Sequence, residues 1–174
     1  MHTKAVYRSA QALSDVGFHV LRFNFRGVGT STGSFGGGAS EEEAVEAALE
    51  WIVRDQPGLR ALVGGFSFGS QVGLRVGLRD PRAKGLLALG LPLSMGDFSF
   101  LAGVAKPLLV VQGEHDEFGS GDEVAGFVGG LDLPITLVRI PGSDHCFHDH
   151  FGELQDAVRE YFLDGPGATA FPVP

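Results

Sequence analysis

Ser67 sits in the run Gly65-Phe66-Ser67-Phe68-Gly69, the GxSxG pattern that sets a serine on a sharp turn between a strand and a helix. A serine hydroxyl is a poor nucleophile at neutral pH, so it needs a base within hydrogen-bond reach and an acid to orient that base. Two later segments supply both. Gly113-Glu114-His115-Asp116 follows the apolar run Leu108 to Val111, and Pro141-Gly142-Ser143-Asp144-His145 follows the run Ile135 to Ile140. The chain order is Ser67, then Asp116, then His145, so a hydroxyl, a carboxylate and an imidazole each follow the end of an apolar run.

The five-residue pattern alone is a weak signal, because 27 of the 174 residues are glycine. Gly29-Thr30-Ser31-Thr32-Gly33 fits it equally well. Context separates them: Leu62-Val63-Gly64 precedes the Ser67 motif and helical spacing follows it, whereas Ser31 lies in a glycine loop remote from the next helix start and reads as a flexible turn. A dinucleotide loop at Gly27-Val28-Gly29 fails because Thr32 holds the place of the third glycine, so no cofactor is expected. His115 shares a turn with Asp116 and reads as a solvated loop residue. His145, His148 and His150 with Asp144 and Asp149 suggest a metal cluster, but their spacing matches no zinc pattern, and no metal is expected. Cys146 reads as a buried or inert thiol and Trp51 as core.

The elements that must position these residues follow from periodicity. Residues 4 to 16 form a helix, and Phe18 to Phe25 reads as a strand because Val20, Leu21, Phe23 and Phe25 crowd a segment bounded by glycine. A Gly/Ser/Thr loop over 27–39 leads to a helix capped by Ser40 and running to about Arg54. Strands then fall at 59–66, 85–91, 108–111 and 135–140, with helices at 67–78, 121–128 and 151–163. The alternation predicts an α/β fold: a three-layer parallel sheet of about five strands with helices on both faces, carrying ligands at the carboxyl ends of the strands. Residues 1–164 form one domain, and residues 165–174, rich in Gly and Pro, are expected to be a disordered tail.

Composition narrows the function classes. Thirteen basic against twenty-one acidic residues give a net charge of −8, which argues against nucleic acid as a partner. The 44% hydrophobic content with 14 Phe suffices for one packed core. A single cysteine forms no internal bridge, and no apolar run is long enough for a signal peptide or a membrane span, so a cytoplasmic protein without membrane association is expected.

These residues together resemble the α/β-hydrolase superfamily, especially small lidless bacterial hydrolases related to dienelactone hydrolases. The resemblance rests on the Ser67 elbow, on Arg22-Phe23-Asn24-Phe25-Arg26-Gly27-Val28-Gly29, on Gly113 to Asp116, and on Asp144-His145-Cys146-Phe147-His148. It implies Ser67 as nucleophile, His145 as general base then acid, and Asp116 as the orienting carboxylate. Dienelactone hydrolases carry Cys at the elbow, and this chain has Ser. A serine hydrolase acting on small to medium acyl substrates, most simply carboxylic esters, is therefore expected.

The oxyanion of such a reaction needs two donors. One is the Phe68 N–H; the other comes in this family from a loop upstream of the helix at 4–16. The resemblance therefore implies a form lacking the family's first strands, with a catalytically impaired or non-catalytic module as the alternative, pairing an exposed strand edge with a second copy as a homo-oligomer. About fifteen residues between Leu91 and Pro107 leave no room for a lid. Phe68, Phe98, Phe100 and Phe118 are candidates for an apolar acyl pocket or for ordinary core.

Overall fold

The computed structural model describes residues 3–55, 58, 60–131 and 133–172. Their elements run α1 (Lys4–Asp15), α2 (Ala39–Asp55), β1 (Ala61–Phe66), α3 (Phe68–Arg79), β2 (Ala83–Leu89), β3 (Leu108–Gly113), α4 (Gly121–Gly129), β4 (Ile135–Ile140), α5 (Phe151–Leu163) and α6 (Pro166–Ala170). Four strands pair in parallel in the order β1-β2-β3-β4. Side chains alternate across each strand, and the alternation builds two cores. Leu86 and Ala88 of β2 with Leu108 and Val110 of β3 face α2, α3 and α4. Leu87 and Leu89 with Leu109 and Val111 face α1 and α5. Covering both faces explains why β2 and β3 read as unbroken apolar runs.

Phe18 to Phe25 is not a strand. The segment has no regular secondary structure and no ladder partner among the described residues, and Val20, Leu21 and Phe23 are about 40% exposed. A groove of about 820 Å³, lined among others by Leu13, Phe18, Leu21, Leu62 and Gly64, separates it from β1. A strand requires a neighbour about 4.8 Å away, and the groove stands where that neighbour would lie. The expected five-strand sheet therefore has four strands among the described residues, and β1 becomes an edge strand with Gly64 exposed.

Other expectations shift locally. Ser40 lies inside α2 rather than capping it. The buried Glu41 folds back instead, accepting the backbone N–H groups of Gly36 and Gly38 and the Ser40 hydroxyl. Trp51, expected in the core, is half exposed. Residues 166–170, expected in a disordered tail, form α6, and Phe171 is buried against Phe18 and Phe162. An aromatic ring with an apolar socket outweighs the loop-like composition around it. Between β2 and β3 the chain makes two 3-10 turns, Leu93–Met95 and Ser99–Gly103, and no inserted subdomain.

Candidate active site

The site is assembled at the carboxyl ends of β1, β3 and β4. The Ser67 N–H bonds Leu89 O at 2.9 Å, one last rung of the β1–β2 ladder before the chain turns into α3. The turn forces Ser67 to φ 53°, ψ −125°, a conformation that costs a non-glycine residue energy and is held by its surroundings. A Cβ on Gly65 would lie 2.1 Å from Gly69 O, so the glycine two residues before the serine is sterically required. Gly69 differs, since a Cβ there meets nothing within 4 Å. Phe68 begins α3, and its N–H, at the first helical position, belongs to the donors a helix leaves without an internal partner, at the positive end of the helix dipole.

Asp116 follows β3 on a turn and is 3% exposed. Its Oδ1 accepts the Phe118 N–H at 2.9 Å. Its Oδ2 accepts from His145 Nδ1 at 2.7 Å and from Gln112 Nε2 at 2.7 Å. His145 follows β4, is 5% exposed, and places Nε2 2.9 Å from Ser67 Oγ. The tautomer that donates from Nδ1 to the carboxylate leaves Nε2 free to accept the serine hydroxyl. The imidazole is held between Phe66, with ring centroids 4.8 Å apart, and Phe118 at 4.7 Å edge-on. Backbone bonds lock the acid and histidine loops together, Glu114 N to Ile140 O at 3.0 Å and His115 N to Ser143 O at 2.8 Å. The Gly142 N–H adds a bond to the Glu114 carboxylate at 2.8 Å.

Ser67, His145 and Asp116, named from sequence, thus meet in one chain of hydrogen bonds. The remaining candidates do not join it. Ser31 Oγ bonds Asn24 O in its loop. His115 is exposed beside Glu114. His148 pairs with Asp144 at 2.6 Å and His150 with Glu153 at 3.3 Å, so the three histidines go to different partners, and among the described residues no group of three or more His, Cys, Asp or Glu is placed to hold a metal ion. Burial works to raise the Asp144 carboxyl, but the ring and backbone N–H of His148 outweigh it and leave it below the usual range. Cys146 is exposed rather than buried; desolvation, then the carboxylates of Asp144, Glu117 and Asp116, push its thiol up, which keeps it protonated. Of the four phenylalanines, Phe118 touches His145, Phe98 is core, Phe100 stacks under Arg75, and Phe68 meets Phe25 and Phe35.

Sequence reasoning missed Gln112 and Glu41. A polar residue closing the run Leu108 to Val111 was the available sign for Gln112, and it reads equally well as the end of a strand.

Residues 1–156 match the model of an alpha/beta hydrolase domain. The chain belongs to that alpha/beta hydrolase family. Within it, the chain is 36% identical over 172 residues to the uncharacterized protein RP471 of Rickettsia prowazekii (strain Madrid E), covering 94% of this chain and 72% of the relative. An alpha-beta serine hydrolase homologue from Coxiella burnetii superposes with a TM-score of 0.88 at 32% identity, over 94% of this chain and 78% of that one. A serine hydrolase without lid from Xanthomonas campestris gives 0.88 at 35% identity, over 100% and 77%. This alpha/beta hydrolase is thus of the serine hydrolase type, with a sheet shorter than the full fold. No helix among the described residues is long and apolar enough to cross a membrane.

Proposed function

We propose that the chain hydrolyses carboxylic esters of small to medium acyl groups through an acyl-enzyme on Ser67. The observation that carries this reading is the continuous contact from Ser67 Oγ through His145 to Asp116, at 2.9 and 2.7 Å. His145 Nε2 takes the hydroxyl proton as Oγ attacks the acyl carbon, and Asp116 stabilises the imidazolium that forms. The oxyanion of the tetrahedral intermediate faces the Phe68 N–H and the N-terminal end of α3. Its collapse releases the alcohol, which takes the proton from His145; water, activated by the same imidazole, then frees the acid and restores Ser67.

The absence of an inserted subdomain between β2 and β3 supports modest selectivity for acyl size. No cofactor or metal takes part in this scheme. A second reading, a folded module that does not turn over, draws on the groove along β1, which leaves the strand leading to Ser67 without an outer neighbour among the described residues.

Hydrolysis of p-nitrophenyl butyrate, with Ser67→Ala and His145→Ala as controls, tests the reading. Activity that falls at least about 10³-fold in both variants, with a fluorophosphonate label mapped to Ser67, supports it. A folded wild type that neither hydrolyses the ester nor takes the label overturns it in favour of the non-catalytic module.

A further inference from the structure

Gln112 is fully buried at the end of β3, and its side-chain amide is bonded on every side. Oε1 accepts the Leu91 N–H at 2.7 Å. Nε2 donates to Asp116 Oδ2 at 2.7 Å and to Gly119 O at 2.6 Å. These partners fix the orientation of the amide, because a flip would aim an oxygen at two acceptors and an NH₂ at a donor. The amide therefore donates to the same carboxylate oxygen that receives His145.

We propose that Gln112 is a positioning residue for the reaction proposed above, on which this inference rests. With Phe118 N–H on Oδ1 and Gln112 on Oδ2, the Asp116 carboxylate cannot rotate without breaking a bond in a site closed to water. One acceptor direction on Oδ2 stays open, and His145 Nδ1 fills it. The same amide holds the Leu91 N–H next to Gly90, whose backbone backs the His145 ring: a Cβ there would lie 3.1 Å from Cε1 and Nδ1. One side chain thus sets both the carboxylate that orients the imidazole and the wall behind it.

Two substitutions separate this from mere packing. Gln112→Met keeps the bulk and removes every bond. It is expected to lower kcat for p-nitrophenyl butyrate by about 10- to 100-fold with KM within about threefold, since misplacement of the acid acts on the reaction and not on ester binding. Gln112→Glu keeps the shape and adds an ionisation. While protonated, the new carboxyl donates to Asp116 in place of the amide; once ionised it repels that carboxylate and the donor is lost. The ratio of Gln112→Glu to wild-type kcat should therefore fall as pH rises.

A Gln112→Met enzyme with kcat within twofold of wild type, or a Gln112→Glu ratio that does not change with pH, overturns the proposal. The ring-nitrogen NMR shifts of His145 give a readout that does not require turnover. They should differ between wild type and both variants, and unchanged shifts in the folded variants also overturn it. Failure of the wild type to label at Ser67 counts against the hydrolase reading alone, since the His145 shifts still decide the role of Gln112.

Discussion

The imidazole of His145 rests on the ring of Phe66, the residue just before Ser67, with centroids 4.8 Å apart. The end of β1 therefore carries the serine and also part of the seat for the imidazole that touches it, while Gly90, at the end of β2, closes against the same ring. The distance from Ser67 Oγ to Nε2 is consequently set by packing between strand ends rather than by the flexibility of loops.

Gly90→Ala should show how tight that seat is. The added methyl would lie 3.1 Å from Cε1 and Nδ1, and φ +56° disfavours alanine. Ester turnover is expected to fall by about 100-fold, the scale of an ångström-sized misplacement, with far-UV circular dichroism unchanged. Turnover within threefold of wild type would show that the ring has room to move.

The two glycines that flank Ser67 are predicted to be unequal. Gly65→Ala drives a methyl to within 2.1 Å of Gly69 O, against backbone that cannot swing aside, and should cost about 2 kcal/mol or more of stability in urea denaturation. Gly69→Ala meets no atom within 4 Å and lies in α3, where alanine is favoured over glycine by up to about 1 kcal/mol, so it should be neutral or stabilising.

The open edge of β1 should be visible in hydrogen exchange. Because the Ser67 N–H points to β2, alternation along the strand turns the N–H groups of Leu62 and Gly64 toward the groove. Those two amides are expected to exchange much faster than Ala88 and Val110 in the buried centre of the sheet. Equal protection in all four would mean that the edge is covered in solution.

Glu41 gives the loop over residues 36–38 an acid sensitivity. The Gly36 N–H is the largest influence on its carboxyl; desolvation opposes, and with the bonds from Gly38 and Ser40 the net result lies below the usual glutamate range. A lowered folded value means that the contribution to stability is complete above the unfolded value and is lost as pH falls through the folded one. Thermal melts of wild type should therefore drop more steeply on acidification below the ordinary glutamate range than those of Glu41→Gln, which should start from a lower melting temperature at neutral pH. Parallel curves would remove Glu41 as the cause.

Ser67, Asp116 and His145 could be read from the chain because a parallel α/β sheet delivers strand ends to one side. Short apolar runs followed by turns identify those ends without knowledge of any contact. The same local logic placed β2, β3, β4, α4 and α5, whose burial on both faces or on one stripe leaves a periodic trace. It failed at Phe18 to Phe25, where composition suited a strand but pairing depends on a neighbour that no local pattern specifies. It failed at Trp51 and at Phe171 for a related reason, since whether a large ring is buried depends on the socket other elements provide.

Residue order and type thus determined the class of fold and the three groups that meet, because both follow from the period of the apolar pattern and from which loops end strands. The hydrogen-bond chain itself, the bonding of Gln112 to Leu91, Asp116 and Gly119, and the groove beside β1 were decided by tertiary structure alone. Each depends on distances between segments far apart in sequence, and such distances are set only when the two cores close on either side of the sheet.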